Sequence, residues 1–210
     1  MNRISKGILY IISILNMLGI CFIYPELPKR IPIRWDINWQ VRDWTDKKVI
    51  FLLGLFPIIL LLLISFLPKK DRKKETMKQR KAYGIVAMTI VLFLIVLVWI
   101  TIAAALEIEF KMQLILPSIL GVLLIIFGNY MPIIRSNYYF GIRNPWTLSN
   151  EKVWRKTHRV GGYVFAIIGV VMIIASFAFK DGGKFSFVVL IAGLIGVNLY
   201  SFILSKKVRE

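Results

Sequence analysis

Apolar residues fall into six blocks of near twenty positions, and the polar residues gather between them. The blocks cover about 7–24, 49–67, 83–106, 112–131, 161–179 and 185–204, and none holds Asp, Glu, Lys, Arg or His in its interior. Lipid offers a backbone no hydrogen-bonding partner, so an uncharged run of this length predicts a transmembrane helix. The pattern predicts an all-α integral membrane protein with six spans in one membrane domain, residues 1–210. Arg3 and Lys6 ahead of the first block mimic a signal peptide. No small-residue cleavage pattern closes it, so the block reads as an uncleaved span.

Composition sharpens this picture. The chain is 58% hydrophobic and carries a formal net charge of +17 from 28 Lys and Arg against 11 Asp and Glu. In a soluble protein such charge would point to nucleic acid. Here the cations flank apolar spans, which makes anionic lipid headgroups the expected partner and direct nucleic-acid binding not. With the N-terminus inside, the inner segments hold nineteen of the cations and the outer segments nine. The positive-inside rule then puts both termini in the cytoplasm. The loop 68–82, with eight cations and two acids, dominates that assignment and reads as a stop-transfer and lipid-binding segment. The single cysteine, Cys21, sits in an apolar run and is expected to be a buried, inert thiol. No Cys/His cluster suggests a metal, and no cofactor is expected.

The chain is organised around residues 128–162, which are neither an apolar span nor a plain run of charge. Gly128, Asn129 and Pro132 close the fourth span; Tyr138, Tyr139, Phe140, Arg143 and Trp146 then mix aromatics with cations. Pro145 biases Asn144 away from helical angles, Ser149 is a candidate N-cap, and Glu151 suits the positive end of a helix. At 100° per residue Lys152, Arg155, Lys156 and Arg159 share one arc, and Val153, Trp154, Thr157 and Val160 the opposite one. This predicts a short amphipathic helix lying in the headgroup layer before the fifth span. It serves either as a surface anchor or as a docking surface. His158, the sole histidine, falls at the edge of the apolar arc and reads as a hydrogen-bonding surface residue rather than a ligand.

The order Gly128-Asn129-Tyr130-Met131-Pro132, Gly141-Ile142-Arg143, Pro145-Trp146-Thr147-Leu148-Ser149, Val153-Trp154 and Lys156-Thr157-His158-Arg159 resembles the SdpI family of bacterial membrane immunity proteins. The resemblance implies a multi-pass protein of the bacterial plasma membrane that protects the cell from a secreted antimicrobial peptide toxin. Some members also draw a cytoplasmic transcriptional repressor to the membrane, which implies signal transduction. Carried onto this chain, the cytoplasmic partner site in loop 132–160 and its borders comprises Arg143, Trp146, Trp154, Arg155 and Arg159. Asn129, Pro132, Gly141 and Pro145 shape its backbone.

The extracytoplasmic loop, residues 25–48, is rich in proline and tryptophan. Pro25, Pro28 and Pro32 forbid an early helix and favour extended or turn conformations. Trp35, Trp39 and Trp44 form either an interfacial belt or a contact surface for the toxin, since an indole supplies large contact area with a polar handle. Leu27, Pro28, Ile31, Pro32 and Trp35 also resemble a segment often found ahead of SdpI-type regions. Arg34 stands where that pattern usually has histidine, which argues against a metal or pH-sensing role. Trp39 stands where glycine is usual, which argues against the usual tight turn.

Small residues in spans four to six, among them Gly121, Gly128, Gly162 and Gly169, predict close helix approach, with Asn129 and Asn198 bonding across helices. Both long loops, after spans one and four, carry proline and tryptophan, and Ile33-Arg34-Trp35 faintly echoes Ile142-Arg143-Asn144-Pro145-Trp146. Residues 1–106 and 112–204 could therefore be inverted halves. Two other functions compete with immunity. A transporter usually keeps ionisable residues inside its spans, and these spans have none. A scaffold without its own ligand is the other alternative, because fold and family membership do not fix function. An enzyme is not expected, because no HExxH, GxSxG or paired carboxylate with a base appears.

Overall fold

A computed structural model describes residues 3–36, 39–66, 76–137, 140–179 and 182–208. Tyr138 and Tyr139, and most of the polybasic loop 68–82, lie outside the described residues. The chain divides into two compact units, residues 1–111 and 112–210.

In the first unit α1 (Arg3–Ile23) ends in a single 3-10 turn, Tyr24–Glu26. Antiparallel strands β1 (Arg30–Trp35) and β2 (Val41–Asp46) follow, then α2 (Val49–Phe66) and α3 (Met77–Ala105). The hairpin adds pairing to the extended conformations that the prolines favour. Its ladder slips at Pro32–Arg34 and again at Arg34–Trp35. Proline cannot donate to a ladder, so an irregular register beside Pro32 has a local cause. The hairpin rests on the helices through Ile31, which is buried with Leu27, Ile20, Ile50, Val98 and Ile102. Deeper along the helices, Asn16 donates to the Gly54 carbonyl (3.5 Å) and accepts from Trp99 Nε1 (3.1 Å). Cys21 is exposed on the surface of α1, beside Phe22, and not buried as expected.

The second unit holds α4 (Met112–Tyr130), a 3-10 turn at Met131–Ile133, the short helix α5 (Pro145–Ser149), α6 (Glu151–Ala178) and α7 (Gly182–Lys207). α4 and α6 run antiparallel at backbone contact. A Cβ built on Gly121 would lie 2.6 Å from the Gly169 carbonyl oxygen, and one on Gly162 would lie 2.6 Å from that of Gly128. Glycines seven apart on each helix thus let two backbones meet where lipid gives no hydrophobic drive for association. Ser118 and Ser176 bridge the same pair at 3.0 Å.

Among the described residues five helices, all but α2 and the short α5, are long and apolar enough to cross a membrane, and α2 is a shorter apolar helix. Helix bounds exceed the apolar blocks where caps allow. α3 begins at Met77, six residues before the apolar block, because Thr76 and Gln79 form a capping box. α6 begins at Glu151 because Asn150 Oδ1 accepts from the Lys152 and Val153 amides (2.8 and 3.3 Å). Ser149 is therefore not the cap. It belongs to α5, and its hydroxyl donates to the Trp146 carbonyl.

Candidate functional site

The separate interfacial helix is corrected by α6. Residues 151–160 are the first turns of one 28-residue helix that continues through Gly161 and Gly162 without a break. At 1.5 Å per residue such a helix is about 42 Å long, against a hydrocarbon core of about 30 Å. The polar start of α6 therefore extends past the apolar thickness as a rod. The two arcs themselves are as expected. Lys152, Arg155, Lys156 and Arg159 are exposed, while Val153, Trp154 and Thr157 are buried. The apolar arc is covered by the protein's own loop rather than by lipid.

That loop, residues 131–149, is fastened to α6 by two buried rings. Trp154 Nε1 donates to the Ile134 carbonyl at 2.9 Å. Trp154 stacks on His158 with ring centroids 3.9 Å apart. His158 Nδ1 donates to the Trp154 carbonyl (2.9 Å), and its Nε2 accepts from the Ile142 amide (3.1 Å). This pattern requires the neutral ring with its proton on Nδ1. His158 is fully buried, which corrects its expected place at the surface. Gly141 makes the approach possible. Its φ of +111° is a region that side chains rarely adopt. A Cβ there would also strike His158 Nε2 and lie 3.2 Å from the Trp154 ring.

The loop's far side is fastened to α7. Asn144 is extended, as its place before Pro145 demands, and caps α5 by accepting from the Thr147 amide at 2.9 Å. Its amide donates to Asn198 Oδ1 (3.1 Å) and to Ser201 Oγ (2.7 Å). Trp146 Nε1 donates to the same Ser201 Oγ at 2.5 Å, and its ring meets Phe202 edge-on at 5.2 Å. Thr147 Oγ1 closes the turn on the Ile142 carbonyl at 2.8 Å. Asn144, Thr147, Asn198, Ser201 and His158 thus build the loop. Of these the sequence pointed to Asn144 as extended before Pro145 and to Asn198 as a bridging amide, whereas the pairings to α6 and α7 join residues 16 to 57 positions apart.

The candidate partner residues consequently separate into two groups. Trp154 and half-buried Trp146 face inward and hold the loop, and Gly141, itself exposed, lies against the His158 and Trp154 rings. Arg143, Pro145, Arg155 and Arg159 are exposed, as are Asn129 and Pro132 at the end of α4 and in the following turn. Asn198 bonds across to the loop as expected of a bridging amide, whereas Asn129 points outward.

In the first unit the three loop tryptophans occupy different settings. Trp35 ends β1 opposite Val41 and is half-buried. Trp39, in the connection between the strands, takes the left-handed φ of +65° that glycine adopts at little cost. Asp36 holds it, since its Oδ1 accepts from the Gln40 amide (2.9 Å) and its carbonyl from the Trp39 amide (3.0 Å). Trp44, on β2, is 50% exposed. Arg34 pairs with Asp43 at 3.3 Å on the exposed face. Lys47 anchors the loop by donating to the Tyr24 and Leu27 carbonyls (3.1 and 2.9 Å) over the Tyr24 ring.

Comparison with known proteins follows this division. Residues 133–203 match the SdpI/YfhL protein family. Residues 11–61 match a domain of unknown function, DUF1648. Immunity protein SdpI of Bacillus subtilis (strain 168) is 29% identical over 174 residues, which is 82% of each chain. No solved structure matches this chain.

Proposed function

We propose that this chain, a multi-pass bacterial membrane protein whose residues 133–203 match the SdpI/YfhL protein family, confers immunity to a secreted antimicrobial peptide toxin. The similarity to an immunity protein over most of both chains carries this reading. In it the chain has six spans, α2 included, with both termini in the cytoplasm and no reaction of its own. The hairpin with Trp35, Trp39 and Trp44 meets the toxin outside. The clamped loop presents Arg143, and the start of α6 presents Arg155 and Arg159, inside, where a cytoplasmic repressor would dock. Trp154, Trp146 and Gly141 support that surface by holding the loop rigid, and Asn129, Pro132 and Pro145 border it.

A strain lacking the chain, challenged with culture supernatant of its parent, is expected to lose viability that the parent keeps. Equal survival would reject immunity. Arg143→Ala is expected to insert normally and lose protection, and normal protection at normal protein level would count against the inner site. Orientation is tested with an impermeant thiol reagent in a Cys21→Ala background. Asp46→Cys should label in intact cells, and Arg155→Cys only after permeabilisation.

A further inference from the structure

A cleft of about 540 Å³ opens in the first unit between the start of the hairpin and the C-terminal end of α3. Its volume lies within the range of about 300–1,000 Å³ usual for small-ligand sites. Glu26, Lys29, Arg30, Trp44 and Glu107 line it, with Ala105 and Leu106 forming the helix end. Among the described residues, none of its four charged side chains lies within 4.0 Å of an opposite charge; the ion pair of this hairpin, Arg34–Asp43, involves other residues.

Glu107 is the telling residue. It follows the helix cap Leu106 with φ +56°, in the left-handed conformation that glycine adopts at little cost. Its amide donates to the Ala104 carbonyl (3.3 Å) and that of Ile108 to the Ala103 carbonyl (3.0 Å), the bonding of a glycine-type helix stop. A carboxylate there also faces the negative end of the α3 dipole. Glycine would fit the backbone better, and lysine would suit the dipole better. The position instead holds an acid at the cleft wall, with Glu26 on the same cleft and the half-exposed Trp44 ring beside them. Two carboxylates, a helix C-terminus and an indole favour a cation at this wall, while Lys29 and Arg30 on the same cleft favour an acceptor, so the lining suits a ligand that carries both.

We infer that this cleft takes a cationic side chain of a peptide, held between Trp44 and the carboxylates of Glu26 and Glu107. Lys29 and Arg30 meet the carbonyl or carboxylate groups of the same peptide. The inference rests on the immunity reading only for the choice of a peptide as carrier of the cation. Its test measures binding in vitro, so its failure leaves the protection experiments untouched. The walls are exposed, so binding is weak and weakens further with salt.

The full chain, with fluorotryptophan incorporated, is placed in phosphatidylcholine nanodiscs at low salt. The fluorine resonance of Trp44, assigned by its loss in Trp44→Phe, is followed during titration with acetyl-Ala-Lys-Ala-amide. A saturable shift is expected, and none with the uncharged norleucine analogue. Glu26→Gln and Glu107→Gly are each expected to raise Kd about three-fold, and together about ten-fold. Glycine at 107 keeps the backbone conformation, so a purely structural role for Glu107 predicts unchanged binding there. Arg42→Ala, exposed on the hairpin but outside the cleft, should leave Kd unaltered. No saturable shift, an equal response to the norleucine peptide, or wild-type affinity in the double variant would each overturn the assignment.

Discussion

The two units share an order of parts, a helix, a loop rich in proline and tryptophan, and two further helices, yet they are held together by different means. In the first unit the helices meet through side chains. Ile20, Ile50, Val98 and Ile102 pack around Ile31 of the hairpin, and Gly54 faces the flexible ends of Ile20 and Met17. In the second unit α4 and α6 meet backbone to backbone at Gly121–Gly169 and Gly128–Gly162. Their loops differ in the same sense. The hairpin is tied down by one lysine reaching two carbonyls, whereas the second loop is clamped by buried Trp154 and His158 on one side and Ser201 on the other. Packing through side-chain ends can yield to a change; packing through backbone and buried polar groups cannot.

The contrast is most exposed to test at the glycines. Gly128→Val drives a branched side chain against the Gly162 backbone and is expected to cost about 4 kcal/mol or abolish folding of the second unit. Gly54→Ala in the first unit meets the side-chain ends of Ile20 and Met17 and should cost about 1 kcal/mol in the same denaturation assay in detergent. Equal losses would erase the distinction.

The loop fastenings come next. His158→Ala leaves the Ile142 amide without its acceptor and opens a cavity beneath Trp154, at an expected cost of about 3 kcal/mol. Amide exchange should quicken at Ile142 first. Ser201→Ala removes the acceptor shared by Asn144 and Trp146 and should cost about 2 kcal/mol. Its signature is a change in the emission of Trp146, isolated by comparison with Trp146→Phe. Lys47→Met in the first unit is partly exposed and should cost about 1 kcal/mol, detected as faster proteolysis of the hairpin. Smallest is Arg34→Ala, whose exposed ion pair with Asp43 contributes about 0.3 kcal/mol, so its melting curve should overlay the parent's.

Much of this was legible in the order of residues. All six uncharged blocks became helices, because in lipid a backbone segment must satisfy itself and block length is a local property. The two arcs of residues 152–160 and the extended Asn144 followed from helical periodicity and from the ring of Pro145. The close approach of α4 and α6 was visible in their glycines. What the apolar arc faces was not visible: a stripe of Val153, Trp154 and Thr157 fits lipid and protein alike, and only the folded loop covers it. His158 was misplaced for the same reason, since its acceptor role depends on an amide sixteen residues earlier. The turn at Trp39 was obscured because the left-handed region suggests glycine, while Asp36 stabilises it by hydrogen bonds that composition does not reveal. Local rules of length, period and capping thus determined where the chain is helical. Tertiary structure alone decided which polar groups lie inside, because burial and hydrogen bonding join residues whose separation along the chain carries no signal.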